Sequence, residues 1–329
     1  MAAALTVLVT GGAGYVGSFT VRALQQAGHE VVVFDNLRQG HRSAVCVPLV
    51  VGELIDREAV ATCFRRWRFD AVIHLAAYTS VRESVTDPNK YVVHNVGGTI
   101  VLLEACLRHD VPYLVFSSSS EVYGEARYLP LDEAHPTEPT NPYGATKLQV
   151  EHYLRWYDAA YGLRSISLRY FNAAGAALDG SMGEDHRPEE HLIPNAIRGA
   201  LGLQAFRLTS PVVATPDGTT IRDYVHVLDL AEAHVLALEA LRQGHPTDVI
   251  NLGSGVGYST RQIIELVQEL TGVRFPVERG EARPGEPPIK YASYAKAERV
   301  LGWRPRYGIE EIIASAVRWH TRFPHGYPD

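Results

Sequence analysis

The first 36 residues contain the pattern that most restricts the fold. A short β-branched run at residues 5–9 leads into a glycine-rich turn at 10–17, and a helical pattern follows. A second apolar run at 30–34 ends in Asp35. Strand, glycine-rich turn, helix, strand and acidic residue, in this order, predict the first unit of a dinucleotide-binding α/β fold. In such a unit the pyrophosphate sits at the helix N-terminus.

The glycine spacing fits two versions of the dinucleotide-binding motif. Gly12, Gly14 and Gly17 satisfy G-x-G-x-x-G, and Gly11 with the last two satisfies G-x-x-G-x-x-G. Asp35 follows Gly17 by 18 residues, which is where a carboxylate accepts hydrogen bonds from the adenosine ribose. Because a carboxylate repels a 2′-phosphate, we expect NAD as the cofactor and not NADP.

The alternation of strand and helix patterns continues through the first half of the chain. Further strands are predicted at 47–51, 70–77, 113–116, 164–170 and 248–252, and helices at 56–67, 89–109 and after residue 141. Near-continuous apolar strands separated by helices predict a Rossmann-type, doubly wound parallel sheet of about seven strands. Ligand sites then lie outside the carboxyl ends of the strands.

After Asn172 the pattern loosens into loops rich in glycine, proline and acidic residues, around one helix at about 192–201. We expect an NAD-binding Rossmann domain and a smaller C-terminal α/β domain that binds substrate. The first comprises residues 1–172, with 219–252 returning to it. The second comprises residues 173–218 and 253–329.

Side chains that can carry chemistry surround the fifth predicted strand, which runs into four serines at 117–120. The helix that follows begins with Asn141 as N-cap and Pro142 at its first position. Tyr143 and Lys147 are four residues apart and therefore share one helix face. A phenol with a pKa of about 10 needs a fall of about three units to act as a base, and a neighbouring cation favours the phenolate.

The same spacing also suits a packed tyrosine and a solvated lysine. The position of the other motifs favours the catalytic interpretation. The glycine turn, Asp35, Ala76, Ser119 and Asn172 all fall at the carboxyl ends of predicted strands, so they share one edge of the sheet.

Composition excludes several classes of function. The chain has 329 residues, of which 21% are charged, and a formal net charge of -6, which gives no electrostatic case for a nucleic acid or an anionic membrane as partner. Cys46, Cys63 and Cys106 form neither a disulfide framework nor a metal-ligand spacing, and suit a reducing compartment. With no apolar run of membrane-spanning length and no basic n-region, we expect a cytoplasmic protein.

Two sets of polar residues are expected to be structural. His74 lies within an apolar strand and is expected to be a hydrogen-bonded core residue. Asp223, His226 and Asp229 raise the question of a metal site, but their spacing better suits a strand that feeds a helix with Asp229 as N-cap. We therefore predict no metal.

Motifs spread almost end to end carry a family resemblance. They are Val9–Gly17, Phe34–Asn36, Phe116–Ser119, Tyr143–Lys147, Arg169–Asn172, Met182–Asp185, His191–Pro194, Asp217–Thr219, Ile221–His226, Asn251–Gly255 and Gly326–Asp329. On these residues the chain resembles the extended short-chain dehydrogenase/reductase family and, within it, the UDP-glucose 4-epimerases. The resemblance implies an isomerase with bound NAD that interconverts UDP-galactose and UDP-glucose. The steps implied are oxidation at sugar C4, rotation of the 4-keto intermediate and re-reduction.

The resemblance also implies a role for each matching residue. Tyr143 is the base, Lys147 holds the nicotinamide ribose and lowers the pKa of the phenol, and Ser119 bridges to the sugar 4-hydroxyl. The residues expected to contact the cofactor are Gly11, Gly14, Tyr15, Val16, Gly17, Asp35, Asn36, Glu53, Leu54, Leu75, Ala76, Ala77, Asn95, Ser117, Tyr143, Lys147 and Tyr170. Those expected to contact the UDP-sugar are Ser119, Tyr143, Phe171, Asn172, His191, Leu192, Arg222, Tyr224, Arg283, Glu286 and Lys290. The resemblance further implies a homodimer formed through the helices around Asn95 and Leu154.

Four places depart from the pattern of the epimerases. Glu121 follows the serines and resembles the corresponding residue of UDP-glucuronate decarboxylases. Residues 208–214 differ from the usual segment near the uracil, and Glu53 and Glu286 stand where aspartate is usual. Lys290 occupies the position that limits room for an N-acetyl group, which argues against N-acetylated sugars or for an acidic sugar.

These departures leave two alternatives open. One is a related enzyme acting on another UDP-sugar, either a 4-epimerase of a uronate or pentose or a decarboxylase that uses Glu121. The other is a non-catalytic NAD-binding regulator, against which the intact Ser119, Tyr143 and Lys147 speak.

Overall fold

The computed structural model describes residues 3–209, 212–280 and 287–328, without the side chain of Arg279. The strands are β1 (Thr6–Thr10), β2 (Glu30–Asp35), β3 (Leu49–Val51), β4 (Ala71–His74), β5 (Tyr113–Ser119), β6 (Arg164–Tyr170), β7 (Asn172–Ala174), β8 (Phe206–Leu208), β9 (Ile221–Arg222), β10 (Tyr224–His226), β11 (Asp248–Leu252), β12 (Tyr258–Ser259), β13 (Val277–Arg279) and β14 (Ile289–Lys290). The α-helices are α1 (Tyr15–Gln26), α2 (Arg57–Arg66), α3 (Val81–Thr86), α4 (Pro88–Tyr91), α5 (Gly98–Arg108), α6 (Pro142–Tyr161), α7 (Leu192–Ala200), α8 (Val227–Arg242), α9 (Thr260–Thr271), α10 (Ala295–Leu301) and α11 (Ile309–Arg322).

The central sheet confirms the predicted Rossmann-type architecture. It has seven strands in the order β11-β6-β5-β4-β1-β2-β3, and every pairing is parallel. From β1 the chain moves outward through β2 and β3, then returns to place β4 on the other side of β1. The strand order therefore reverses between β1 and β4, and a crevice opens there at the carboxyl ends of the strands.

Side-chain alternation along each strand supplies a core on both faces of the sheet. In β1, Val7 and Val9 belong to one buried cluster, which includes side chains of α1 and α8. Leu8 points the opposite way, into a second buried cluster with side chains of α2, α5 and α6. Because both faces are covered by helices, the strands are apolar at nearly every position, and this is why they were recognisable in the sequence.

The helix predicted at 89–109 is interrupted. Between α4 and α5 the chain forms a π-helical turn at Val92–Gly97. The side chain of Asn95 in this turn accepts a hydrogen bond from the backbone N–H of Tyr78 at 2.8 Å and donates to its carbonyl at 2.9 Å. The widened turn thus ties this helical run to the loop that follows β4, a long-range constraint that helical periodicity does not report.

A third buried cluster lies outside the central sheet. It joins α7, α9 and α11 through residues such as Ile193, Ile263 and Ile312. A small sheet in the order β12-β9-β14 lies in the same C-terminal part of the chain, and the parallel register of β14 with β9 places Lys290 opposite Arg222. Among the described residues, no helix is long and apolar enough to cross a membrane.

Candidate active site

The glycine-rich turn after β1 is fixed by close backbone approaches. Gly11 has φ +71°, and a Cβ added there would lie 2.6 Å from the backbone nitrogen of Ala76. A Cβ on Gly17 would lie 2.0 Å from the carbonyl oxygen of Gly11. Gly12 meets the side chain of Val33 instead, at 2.7 Å. The backbone of the turn therefore requires glycine at positions 11 and 17, whereas Gly12 is required by the packing of the Val33 side chain.

The N-terminus of α1 and the carboxylate of Asp35 frame this turn. Gly14 is the N-cap of α1 and supplies no side-chain cap, so the first-turn N–H groups can serve an anionic ligand. Asp35 accepts hydrogen bonds from the backbone N–H groups of Ala13 at 3.0 Å and Leu37 at 2.8 Å. Burial raises its pKa, against the effect of these hydrogen bonds. A tight turn, a helix N-terminus and an acid at the end of β2 fit a bound dinucleotide.

The other residues expected at the adenosine end lie beside Asp35. Asn36 donates to both carboxylate oxygens of Glu53 at 3.2 Å, and Arg38 pairs with the same carboxylate at 3.2 Å. The backbone N–H groups of Leu75 and Ala76 both donate to the carbonyl of Thr10, at 3.0 and 3.1 Å. The loop after β4 is thereby held against the glycine-rich turn, at the point where the strand order reverses.

Tyr15 connects the start of α1 to a distant loop. Its hydroxyl donates to the carbonyl of Gly175 at 2.6 Å, and its ring packs edge-on against those of Phe19 and His186. Val16 follows it in the first turn of α1 and packs partly buried against the core. Of the expected cofactor contacts, Tyr15 and Val16 are therefore placed to contribute backbone N–H groups.

The catalytic candidates converge where β5 meets α6. As predicted, Asn141 caps α6: its side-chain oxygen accepts from the N–H of Gly144 at 2.8 Å, and proline occupies the first turn. Tyr143 is 9% exposed, and its phenol has a side-chain hydrogen bond with Ser119. The Tyr143 hydroxyl thus lies inside the protein beside a serine at the carboxyl end of a central strand.

Lys147, like Tyr143, is buried, and its ammonium is directed at the backbone of β5. Burial raises the pKa of Tyr143 well above its ordinary value, and the hydrogen bond with Ser119 acts in the opposite direction. The Lys147 ammonium donates to the carbonyl of Ser117 at 2.6 Å and lies 5.8 Å from the Tyr143 ring. Burial also lowers the pKa of Lys147 itself to about 7, against the attraction of Glu151.

Three further residues expected to contact the cofactor, Ser117, Tyr170 and Asn95, form hydrogen bonds with protein groups near Tyr143 and Lys147. The hydroxyl of Ser117 hydrogen-bonds that of Tyr170, and burial raises the pKa of Tyr170 to about 12. Asn95, besides binding the backbone of Tyr78, donates to the hydroxyl of Thr146 at 3.3 Å. These contacts fix the helical run and β6 on either side of the Tyr143 helix.

A buried ion pair under the serine strand was not predicted from the sequence. Glu151 on α6 accepts from the Nε of Arg169 at 2.8 Å and from its terminal nitrogen at 2.6 Å. Ser118 donates to the same carboxylate at 2.5 Å. Because strand side chains alternate, Ser118 points away from Ser117 and Ser119, toward this support beneath the site. In the sequence, the only feature that pointed to this ion pair was Glu151, which lies two turns after Tyr143 on the same helix.

The residues expected to hold substrate lie on the other side of the crevice. Asn172 donates to the backbone carbonyl of Asp223 at 2.8 Å. The ammonium of Lys290, which is 2% exposed, donates to Glu121 at 2.7 Å. Asn141 donates to the second carboxylate oxygen of Glu121, also at 2.7 Å. Burial alone would raise the pKa of Glu121, but Lys290, Asn141 and Arg222 together hold it below its ordinary value.

The expectation about Asp229 as an N-cap is wrong. Helix α8 begins at Val227, and the N-cap is His226, whose ring nitrogen accepts from the N–H of Leu228 at 3.1 Å. Asp229 is fully buried in the first turn, where it accepts from the backbone N–H of Arg306 at 3.0 Å. A partner 77 residues away decides its role, and no local spacing reveals such a partner.

Asp223, His226 and His74 each form hydrogen bonds inside the protein. Asp223 accepts from the N–H and hydroxyl of Ser254 and from the N–H of Ala292, and burial raises its pKa to about 6. His226 contacts the hydroxyl of Ser315 at 3.2 Å. His74, as predicted, is a buried core residue bound to the hydroxyls of two threonines.

The remaining residues expected to contact the substrate lie in three places: in the buried core, at the start of α7, and outside the described residues. Phe171 and Tyr224 are buried. His191 directly precedes α7, which begins at Leu192. Arg283 and Glu286 lie outside the described residues, as do residues 210 and 211 of the unusual 208–214 segment.

Comparison with known proteins agrees with this geometry. The chain matches the NAD dependent epimerase/dehydratase family over residues 7–253. The UDP-glucose 4-epimerase of Streptococcus mutans is 47% identical, with 99% of each chain covered.

Solved structures with the same fold include two UDP-glucose 4-epimerases with ligands. The enzyme from Brucella ovis in complex with NAD is 46% identical, with a TM-score of 0.92 and coverage of 95% of this chain and 98% of that one. The enzyme from Bifidobacterium longum in complex with NAD+ and UDP is 35% identical, with a TM-score of 0.93 and coverage of 98% and 100%. The chain therefore belongs to the NAD dependent epimerase/dehydratase family.

Proposed function

We propose that this protein is an NAD-dependent isomerase that interconverts UDP-galactose and UDP-glucose by epimerisation at sugar C4. The observation that carries the proposal is the placement of the Tyr143 phenol beside Ser119, at the edge of the sheet where the glycine-rich turn and Asp35 also lie. The name of the relative from Streptococcus mutans, which matches over nearly the full length, supports the same activity.

The mechanism assigns one task to each side chain at the end of β5. The Tyr143 phenolate removes the proton from the sugar 4-hydroxyl, and Ser119 holds the same oxygen by a hydrogen bond. When bound, NAD supplies the acceptor for the C4 hydride, the donor for its return and a positive ring that favours the phenolate. After the 4-keto sugar has turned in the site, Tyr143 returns its proton to the oxygen at C4. Lys147 is assigned to the nicotinamide ribose.

The nucleotide part of the substrate must stay bound while the sugar turns. We assign this part to Asn172, Leu192 and Arg222, together with Arg283 and Glu286 from beyond the described residues. Guanidinium groups suit a diphosphate because they donate in a fixed fork. Firm binding at the diphosphate and few contacts around the hexose permit both faces of the 4-keto sugar to be presented.

A second candidate is a sibling enzyme for an acidic UDP-sugar, and the buried Lys290 favours it. Its ammonium pairs with Glu121, opposite Arg222 on the neighbouring strand. A substrate carboxylate in this place would take over the position of Glu121 as the partner of Lys290. In the structure, however, Glu121 is held by both Lys290 and Asn141, which suits a structural role better than a chemical one.

The decisive experiment supplies UDP-galactose to the purified protein without added NAD. Formation of UDP-glucose, with NAD released on denaturation, supports the proposed epimerase. Turnover with UDP-glucuronate alone would establish the sibling enzyme, and no turnover with either sugar would leave the non-catalytic regulator. The matched control is Tyr143→Phe, which keeps the ring and removes the hydroxyl. We expect it to retain NAD and to lose about 10²–10⁴ in turnover.

We also propose a homodimer, formed through the helices predicted for this purpose. The residues used to locate them, Asn95 and Leu154, face the interior of the protomer, but the same helical segments carry exposed apolar side chains. Val92, Val93 and Trp156 are 48%, 41% and 70% exposed. Size-exclusion chromatography with light scattering is expected to give twice the chain mass of 36.3 kDa, and the mass of a single chain would refute the dimer.

We further propose a two-domain organisation and a cytoplasmic location. The third buried cluster, separate from the two that flank the central sheet, supports a substrate-binding domain from 173–218 and 253–329 beside the Rossmann domain of 1–172 and 219–252. The free cysteines are consistent with a reducing compartment.

A further inference from the structure

Four side chains converge in the segment between β7 and α7. One ligand-type atom from each of Glu184, His186, Glu189 and His191 lies within 4.8 Å of all the others. The Nδ1 of His186 is 3.1 Å from Glu184 and 3.8 Å from Glu189, and the Nδ1 of His191 contacts Glu184 and is also 3.8 Å from Glu189. Two imidazole nitrogens therefore point at the same pair of carboxylates.

The two carboxylates are buried side by side and need positive charge next to them, either from protonated imidazoles or from a bound cation. The side chains of Glu184 and Glu189 are only 4% and 3% exposed. Among the described residues, the ion pairs of both carboxylates are made with His186 and His191. With neutral imidazoles, the cluster places two negative charges side by side inside the protein. A divalent cation at its centre would neutralise both charges without an arginine or lysine.

We propose that Glu184, His186, Glu189 and His191 bind one divalent transition-metal ion of the zinc class. Imidazole nitrogen and carboxylate oxygen are both zinc ligands, at about 2.0–2.2 Å from the metal. A tetrahedron of that size separates its donors by about 3.4 Å, close to the 3.1 and 3.8 Å between His186 and the two carboxylates. Mixed nitrogen and oxygen donors favour zinc and its neighbours over magnesium or calcium.

The surroundings of the cluster suit a structural ion with an entry path. The side chain of His191 is 57% exposed, whereas both carboxylates are buried, so one side of the site is open to solvent. The indole of Trp319 donates to the backbone carbonyl of Glu184 at 2.9 Å, and the N–H of His191 donates to Glu189 at 2.9 Å. These contacts hold the ligands in place before an ion arrives.

The position of the cluster indicates what the ion would hold together. His186 packs edge-on against Tyr15 in the first turn of α1, and His191 directly precedes α7. Glu190, between two of the ligands, accepts from the hydroxyl of Ser80 at 2.7 Å. A bound ion would fix the segment against the glycine-rich turn and the loop after β4. The site rests on its own geometry and does not depend on the proposed epimerase activity.

The test uses the full chain, stripped with a chelator and then titrated with zinc chloride, with magnesium chloride in parallel. We expect one zinc per chain by elemental analysis, a higher melting temperature with zinc, and no comparable rise with magnesium. Cobalt(II) in place of zinc should give the visible absorption of a tetrahedral site. Failure of the stripped protein to take up one equivalent of zinc would overturn the proposal.

Variants separate a built site from chance binding elsewhere, since the chain has 14 histidines and only two of them belong to the cluster. His191→Gln removes a half-exposed ligand and is expected to fold normally while weakening zinc affinity about 10–100-fold. His245→Gln is the matched control, since that histidine pairs with Asp248 outside the cluster. Equal zinc affinity in the two variants would show that the ion binds elsewhere and contradict the proposal.

Discussion

At the scale of single residues, two opposing effects set the pKa of the Tyr143 phenol. Burial disfavours its ionised form, whereas the hydrogen bond from Ser119 favours it. The neighbouring carboxylate of Glu121 and the phenol of Tyr170 add to the effect of burial. Since the proposed chemistry needs the phenolate, every group that lowers this pKa extends activity to lower pH.

Ser119→Ala tests that balance through pH dependence. Removing the hydrogen bond raises the pKa of Tyr143, so a higher pH is needed to reach the same fraction of phenolate. We expect the acid limb of the kcat–pH profile to move up by about one pH unit, which corresponds to a hydrogen bond of about 1.4 kcal/mol. Ser118→Ala removes a hydroxyl one residue away that faces Glu151, and should leave the limb in place. An unshifted limb in Ser119→Ala would argue against this role for Ser119.

At the scale of elements, two helix N-termini define the site. One belongs to α1 and begins in the glycine-rich turn, and the other belongs to α6 and is capped by Asn141. The N-terminus of α1 depends on glycines, which have no side chain, and the N-terminus of α6 depends on the side chain of Asn141. Both depend on backbone geometry within a few residues, so each can be altered without touching the core.

Gly17→Ala is expected to abolish tight NAD binding while the protein remains folded. The added Cβ would lie 2.0 Å from the carbonyl oxygen of Gly11, so the turn must move away from the helix N-terminus. Gly97→Ala is the matched control, because its Cβ would approach nothing closer than 3.9 Å. The ratio of NAD to protein after purification, with far-UV circular dichroism, checks both. A full complement of NAD in Gly17→Ala would contradict the close approach.

Asn141→Ala removes the cap of α6 together with the hydrogen bond to Glu121. Loss of an N-cap typically costs about 1 kcal/mol, and we expect a fall of that size in the free energy of unfolding. Asn141→Ser should recover most of this stability, because serine also caps, but not the contact with Glu121 at 2.7 Å. Urea unfolding measures the first effect and kcat the second. Equal stability of the two variants would show that the cap contributes nothing.

At the scale of the whole molecule, the site depends on contacts between distant parts of the chain. Arg169 on β6 pairs with Glu151 on α6, and this buried pair joins the central sheet to the helix that carries Tyr143. Lys290 reaches across the crevice to Glu121 from 169 residues away. The crevice is therefore braced by buried charges on both of its sides.

Glu151→Gln is expected to destabilise the protein by about 3–5 kcal/mol, because it leaves the buried charge of Arg169 without a counter-charge. The matched control is Glu298→Gln, which removes a partner of Arg304 at the surface and should change stability by less than about 1 kcal/mol. Urea unfolding of both variants provides the comparison. Similar small losses would mean that the buried pair contributes no more than an exposed one.

The sequence alone determined the parts of this protein that depend on short stretches of chain. The apolar runs located the central strands, the glycine spacing located the turn, and the step from Asn141 to Pro142 located the start of α6. These features follow from side-chain periodicity and backbone sterics, which act within a few residues. Tyr143, Ser119 and Asp35 could be placed at one edge because parallel strands bring their carboxyl ends together.

The tertiary structure decided what no local pattern contains. The direction of Lys147, the pairing of Lys290 with Glu121, and the burial of Asp229 all depend on groups far along the chain. The spacing E-x-H-x-x-E-x-H from Glu184 was visible in the sequence, but only folding shows that all four side chains point to one centre. Ionisation and ligand geometry are set by the surroundings of a side chain, and packing between distant segments creates those surroundings.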